Sequence, residues 1–192
     1  LGVLITVTKP GGILENKIVY QILDKLVSLF RSIPFIILLT WVMPVSRAIM
    51  GTAIYVRGAI VPLVFGAVPF FTRQVETALA DVDPGKIEAA RAMGSSTCGI
   101  VFRIYLHEAV PDLIRVITIT AISLIGLTTS AGAVGAGGIG SFAINYGQNL
   151  HYQDIVNLCV ILLLIVVSLI QLIGNCLSKA AVNRGLFTSS KA

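Results

Sequence analysis

Apolar residues along this chain gather into long runs that are separated by short polar stretches. Four runs approach the ~20 residues that a helix needs to cross a bilayer. They do not alternate between apolar and polar positions, as the strands of a membrane β-barrel would. The pattern therefore predicts an all-α, polytopic membrane protein whose spans cover residues 26–45, 58–80, 109–129 and 155–177.

The remaining apolar run and the prolines refine this prediction. Residues 1–8 are apolar but too short to span, and we interpret them as the tail of a helix that is mostly missing from this sequence. Pro34 predicts a kink near Arg31–Ser32, and Pro62 and Pro69 predict breaks within the second span. The expected fold is a bundle of about five transmembrane helices, the first one incomplete, with an additional cytoplasmic helical segment.

Composition and charge agree with a membrane location. Only 12% of the residues are charged, against about 25% in soluble domains. With the polar segment 81–106 placed inside, twelve of the fourteen basic residues fall on the cytoplasmic side, as the positive-inside rule requires. The net charge of +5 includes no basic run interleaved with aromatic residues, so nucleic acid is not an expected partner. The twelve are Lys9, Lys17, Lys25, Arg31, Arg73, Lys86, Arg91, Arg103, Arg115, Lys179, Arg184 and Lys191; Arg47 and Arg57 fall outside.

The polar segment that follows the second span carries helix start and stop signals. Asp83 is a good N-cap, and Pro84 suits the first helical position. Gly94 is able to adopt the left-handed conformation that ends a helix. Ser95 or Ser96 then predicts the cap of a second short helix.

The helix predicted after Asp83 has two distinct faces. Ile87, Ala90 and Met93–Gly94 fall on one face, and Glu88 and Arg91 lie on another. The pattern alone is compatible with an ordinary cytoplasmic helical hairpin or with a helix that docks a partner.

A resemblance favours the second interpretation. Glu88-Ala89-Ala90, with Gly94 after three residues and Ile104-Tyr105-Leu106 nine residues later, resembles the EAA loop of ABC importer permeases. In that family a short cytoplasmic helix fits a cleft of a separate ATP-hydrolysing subunit. The resemblance implies that Glu88, Ala89, Ala90 and Gly94 contact that subunit. His107 departs from the family pattern, which has proline there.

Other stretches extend the resemblance over essentially the whole chain. Residues 31–35 resemble a segment of amino-acid permeases, and residues 132–140 resemble the glycine-rich stretch of methionine-type permeases, as do Pro62-Leu63 and Pro69-Phe70. The resemblance implies one permease domain, 1–192, with an EAA coupling segment, 83–106, in a D/L-methionine importer of the inner membrane. It also implies a second copy of the chain, an ATP-binding subunit and an external substrate-binding lipoprotein as partners.

The sequence indicates no active site or cofactor. The glycine-rich stretch lacks the Gly-Lys-Ser/Thr of a phosphate loop, and we interpret most of its glycines as close-packing positions. The Cys and His residues lack metal-ligand spacing, and the cysteines are expected to be buried as small apolar residues: Cys98, Cys159 and Cys176. Glu108 and Asp112 suit a helix N-terminus, and Arg115 is expected to pair with Asp112 or to extend toward the membrane surface.

Candidate residues and loops are also available for the transport pathway and the external surface. Small and polar residues of the third span, Ser123, Thr128 and Ser130, are our candidates for the pathway lining. The predicted loops 46–57 and 145–154 are candidates for docking the external protein. Two alternatives remain at this stage: the same architecture with another cargo, such as another amino acid, a betaine or a phosphonate, and an ATP-independent channel or carrier.

Overall fold

A computed structural model of the chain describes residues 1–182, and these residues form helices with no strand among them. Arg184 and Lys191, which the charge argument used, lie outside the described residues. The predicted all-α class is confirmed. The α-helices are α1 Gly2–Thr8, α2 Lys17–Ser32, α3 Phe35–Met50, α4 Tyr55–Ala80, α5 Pro84–Ala92, α6 Thr97–Ile100, α7 Leu106–Glu108, α8 Val110–Ala131, α9 Gly138–Phe142 and α10 Gln153–Ala181, with π-helical turns at Val101–Tyr105 and Ala143–Gln148. The segment Gly132–Ala136 contains a kink at Val134 and Gly135, whose backbone angles are not helical.

Three helices of the described part, α4, α8 and α10, are long and apolar enough to cross a membrane. The pair α2 and α3 passes the same test together but is bent by 108° at its break, which gives up to four spans. The break falls at Ile33–Pro34, next to the predicted kink, because proline removes a backbone donor and restricts the residue before it.

Some predicted helix breaks and loop boundaries were wrong. The prolines at 62 and 69 do not break α4, which runs through both. The predicted loop 46–57 is shorter, since α3 continues to Met50 and α4 begins at Tyr55. The predicted loop 145–154 begins within the π-helical turn Ala143–Gln148.

The described helices divide into two compact units. The first unit comprises Leu1–Ser28, Phe71–Thr118 and the described residues from Leu172 to Val182. Gly2 allows α1 to pack closely on α4, because a Cβ there would lie 2.7 Å from the Cβ of Val75. The core of this unit is apolar and is built from Val75, Ala78, Leu79, Val82, Ile87, Ala90, Ile100, Tyr105, Ala109 and Val116.

The second unit comprises Leu29–Phe70 and Ile119–Gln171. Leu38 and Val42 of α3 pack with Val61 of α4. The buried hydroxyl of Ser46 donates a hydrogen bond of 2.6 Å to the carbonyl oxygen of Gly58. Buried apolar contacts and a satisfied polar group therefore join α3 to the first half of α4.

After α8 the chain of the second unit turns back on itself through the glycine-rich stretch. Gly135, Gly137 and Gly138 have positive φ angles, a conformation that L side chains rarely adopt. Gly140 lies so close to the backbone of Thr129 that an added Cβ would collide with it. Gly132 and Gly140 are close-packing positions, whereas Gly135, Gly137 and Gly138 form the turn, so the expectation that most of these glycines pack closely was wrong.

Candidate functional site

The N-terminus of α5 is capped as predicted. The carboxylate oxygen Oδ1 of Asp83 accepts a hydrogen bond of 2.8 Å from the backbone N–H of Gly85. Pro84 occupies the first helical position, where its missing N–H leaves no intrahelical bond unmade. The local sequence therefore fixes the start of the helix.

The C-terminus of α5 is closed by Gly94, which has a φ of +75°. The N–H of Ser95 donates to the carbonyl oxygen of Ala90 at 3.0 Å, and the N–H of Gly94 donates to that of Arg91 at 3.0 Å. These two bonds form a Schellman motif, which satisfies carbonyl groups at a helix end. Ser96 then caps α6 by accepting from the N–H of Gly99 at 3.2 Å.

Of the four predicted docking residues, three are exposed and one is not. Glu88, Ala89 and Gly94 face outward, whereas Ala90 is only 2% exposed and belongs to the core of the first unit. The expectation that Ala90 offers its side chain to a partner needs correction. Together with Ile87, one turn earlier, Ala90 fixes the helix on its own unit.

The helical spacing predicted that Met93 shares the buried face with Ile87 and Ala90, but it does not. Its side chain is 78% exposed, because α5 ends at Ala92 and the glycine turn redirects the chain. A large apolar side chain is thus displayed beside Gly94, outside the candidate spans. Such a side chain suits a protein–protein contact.

Two contacts of charged side chains on α5 were not predicted from the sequence. Lys86 Nζ lies 2.6 Å from Glu108 Oε2, and Arg91 donates to the carbonyl oxygen of Gly12 at 3.1 Å. Burial raises the pKa of the Tyr105 hydroxyl, and the positive charge of Arg91 opposes that rise. The contacts of Lys86 and Arg91 each join segments that are distant in sequence, so no local pattern could have indicated them.

A second group of charges lies on α2 and α4 of the first unit. The Arg73 guanidinium contacts Asp24 and Glu76, each at 2.7 Å, and also bonds to the Ser28 hydroxyl at 3.0 Å. From the sequence, Arg73 was counted only among the basic residues on the cytoplasmic side. Its carboxylate partners compensate a charge within a candidate span, as such charges require.

Of the two alternatives expected for Arg115, the structure shows the ion pair with Asp112, at 3.2 Å. Among the described residues no group of three or more His, Cys, Asp or Glu is placed to hold a metal ion. Cys159 is buried, but Cys98 and Cys176 are exposed in this chain, so the expectation of three buried cysteines was wrong for two of them.

The second unit contains a cavity of about 350 Å³. Thr128 lines this cavity, whereas the other two pathway candidates, Ser123 and Ser130, are not among its lining residues. The hydroxyl of Thr128 donates to the carbonyl oxygen of Ile125 at 2.9 Å, so the polar group is already satisfied within its helix. The lining is mainly apolar: Val56, Ala59, Ile60, Leu63, Ile125, Thr128, Thr129, Ala131, Ala136, Gly137, Gly138, Ile139, Leu163 and Val166.

The chain is similar to known permeases over most of its length. It is 39% identical over 184 residues to the probable D-methionine transport system permease protein MetI of Vibrio cholerae serotype O1, covering 96% of this chain and 82% of that protein. It is 40% identical over 176 residues to the methionine import system permease protein MetP of Bacillus subtilis, covering 92% and 79%.

Its fold matches a solved transporter structure. The chain superimposes on a chain of an inward-facing MetNI methionine ABC transporter with a TM-score of 0.91 and 46% sequence identity, covering 94% of this chain and 83% of that one. Residues 1–184 match the family described as the binding-protein-dependent transport system inner membrane component. The chain, with its membrane-spanning helices, therefore belongs to this family of inner-membrane transport components.

Proposed function

We propose that this chain is the permease subunit of an ATP-driven importer for methionine, in its D or L form. The observation that carries the proposal is α5, a helix that is capped at both ends, has one exposed face and lies outside the candidate spans. A short helix held at both ends, with Glu88, Ala89 and Met93 exposed, is suited to fit a cleft of another protein. The similarity to methionine permeases supports both the transport class and the cargo.

In this proposal the coupling segment is 83–106, within one permease domain that extends over 1–192. Ile87 and Ala90 hold the segment on the first unit, while Glu88, Ala89 and Gly94 meet the ATP-binding subunit. ATP hydrolysis belongs to that separate subunit, and the chain itself needs no cofactor. Two copies of the chain surround the pathway, each with one ATP-binding subunit, and an external binding lipoprotein delivers the solute.

The cavity of the second unit is the best candidate for a part of the pathway. A thioether side chain suits mainly apolar walls with few polar groups, and the lining of Ile125, Leu163 and Val166 beside Thr128 has this character. Ser123 and Ser130 remain pathway candidates without a place in this cavity. Thr128 is therefore the strongest of the three.

The test is uptake of labelled methionine by proteoliposomes that contain the purified permease with its ATP-binding subunit and its binding protein. We expect uptake that depends on ATP and on both partners. Uptake by the permease alone, without ATP, would instead establish a channel or carrier. Excess unlabelled D- or L-methionine should compete, whereas stronger competition by another amino acid, a betaine or a phosphonate would reassign the cargo within the same transporter class.

A further inference from the structure

Two charged side chains fasten α5 to its own unit, one near each end of the helix. Lys86 forms the ion pair of 2.6 Å with Glu108. Arg91 reaches the carbonyl oxygen of Gly12 at 3.1 Å. All of these residues belong to the first unit. The helix is therefore restrained by directional contacts in addition to its apolar core.

Lys86 occupies a position that the helix itself does not favour. It is the third residue of α5, where the positive end of the helix dipole repels a cation and favours a carboxylate. Its placement is accounted for by Glu108, which lies 22 positions further along the chain. Glu108 in turn stands just before α8, where a carboxylate is favoured by the helix N-terminus.

Glu108 is the last residue of α7, and the single turn residue Ala109 separates it from the start of α8 at Val110. The N–H of Ala109 donates to the carbonyl oxygen of Tyr105 at 3.1 Å, and the N–H of Leu113 donates to that of Ala109 at 2.7 Å. The two bonds meet at Ala109, which they tie to the helical turns on both sides of it. A displacement of Glu108 will therefore carry the first turn of α8, which is a candidate membrane span.

We propose that the Lys86–Glu108 ion pair is the positioning link through which a movement of α5 reaches α8. Ile87 and Ala90 share an apolar core with Ala109 and Val116, so packing also holds α5 near α8, but these contacts are non-directional. A charge-assisted hydrogen bond is directional and short. The two side chains are 38% and 26% exposed, so solvent screens this pair less than a fully exposed one.

This inference rests on the proposed function, because it requires an ATP-binding subunit that moves α5. The test uses the complete complex in proteoliposomes, with the variants Lys86→Met, Glu108→Gln and the charge reversal Lys86→Glu with Glu108→Lys. Three quantities are measured: copurification of the ATP-binding subunit, ATP hydrolysis, and solute uptake per ATP hydrolysed. Asp112→Asn is the matched control, because it removes a nearby carboxylate whose ion pair with Arg115 stays within α8.

Both single variants should keep copurification and ATP hydrolysis, while uptake per ATP falls by about tenfold, within the range expected when one member of a coupling network is removed. The charge reversal should restore most of the ratio, and Asp112→Asn should match the unmodified complex. An unchanged ratio in Lys86→Met and Glu108→Gln overturns the proposal. So does a reversal no better than the single variants.

Loss of copurification in the single variants also overturns the proposal, because the ion pair would then shape the docking surface and not transmit its movement. Failure of the proposed function can be distinguished from failure of this inference by the unmodified complex. If the unmodified complex shows no ATP-dependent uptake, the proposed function itself is refuted.

Discussion

Replacing Gly94 by alanine isolates the backbone conformation that ends α5. Gly94 has a φ of +75°, and a Cβ added there would have no heavy atom within 4 Å. The substitution therefore creates no clash and removes no side-chain contact. Its whole effect on the folded chain comes from placing an L residue in the left-handed region.

The size of this effect follows from two opposing terms. The left-handed conformation costs an L residue roughly 1–2 kcal/mol relative to glycine. Alanine also lowers the conformational entropy of the unfolded chain, which stabilises the folded state by about 0.4–1 kcal/mol. The net cost to the turn is about 1 kcal/mol, which corresponds to a roughly fivefold lower population of the turn relative to its alternatives.

Stimulated ATP hydrolysis, titrated with the ATP-binding subunit, measures the consequence for docking. If docking requires the turn, the half-maximal concentration should rise in Gly94→Ala by up to about fivefold, because apparent affinity scales with the competent population. Hydrogen exchange at Ser95 should also become faster, since its N–H bonds to Ala90 across this turn. In the permease without its partner, Ser95 exchange in Gly94→Asn should lie closer to that of the unmodified protein, because asparagine tolerates the left-handed region better.

Gly126→Ala is the matched control for Gly94→Ala. Gly126 also has open space around an added Cβ, but it lies inside α8, where alanine is a better helix former than glycine. The control should therefore be neutral or stabilising. An unchanged titration and unchanged Ser95 exchange in Gly94→Ala would refute the reasoning, as would an equal loss in Gly126→Ala.

Three other substitutions test separate parts of the proposed site. Asp83→Ala removes the cap on Gly85, costs about 1 kcal/mol and should speed hydrogen exchange at the start of α5; unchanged exchange would contradict the role of the cap. Glu88→Lys should abolish stimulated ATP hydrolysis while membrane insertion and thermal unfolding stay unchanged, and persisting stimulation would contradict the docking assignment. Thr128→Trp should fill the cavity and reduce solute uptake without weakening the ATP-binding subunit's association, whereas Thr128→Val should have a small effect; normal uptake in Thr128→Trp would remove the cavity from the pathway.

The ends of α5 could be predicted because their chemistry is local. A capping carboxylate, a proline at the first position and a glycine able to adopt a positive φ act within a few residues of each other. The sequence signals at Asp83, Pro84 and Gly94 are therefore sufficient, and the structure reproduces each of them. The outward position of Met93 was missed because it depends on where the helix stops, and helical spacing was extended one residue too far.

Tertiary contacts of polar residues could not be predicted in the same way. Lys86 and Glu108 carry no local signal of their pairing, because 22 positions separate them. The pathway candidates show a related difficulty: Thr128 and Ser130 both satisfy their hydroxyl groups on carbonyl oxygens of their own helix. Within an apolar helix, polarity alone therefore does not indicate which side faces a cavity.

The small residues of α5 have two different physical roles within one short motif. A helix of nine residues is marginally stable by itself, so its order depends on its caps and on burial of Ile87 and Ala90. Ala90 is small because the core of the first unit leaves it little room, as its 2% exposure shows. Ala89, its exposed neighbour, is small on the side where a partner would approach. The same motif thus orders the helix before any partner binds, and a preordered surface loses less conformational entropy on association.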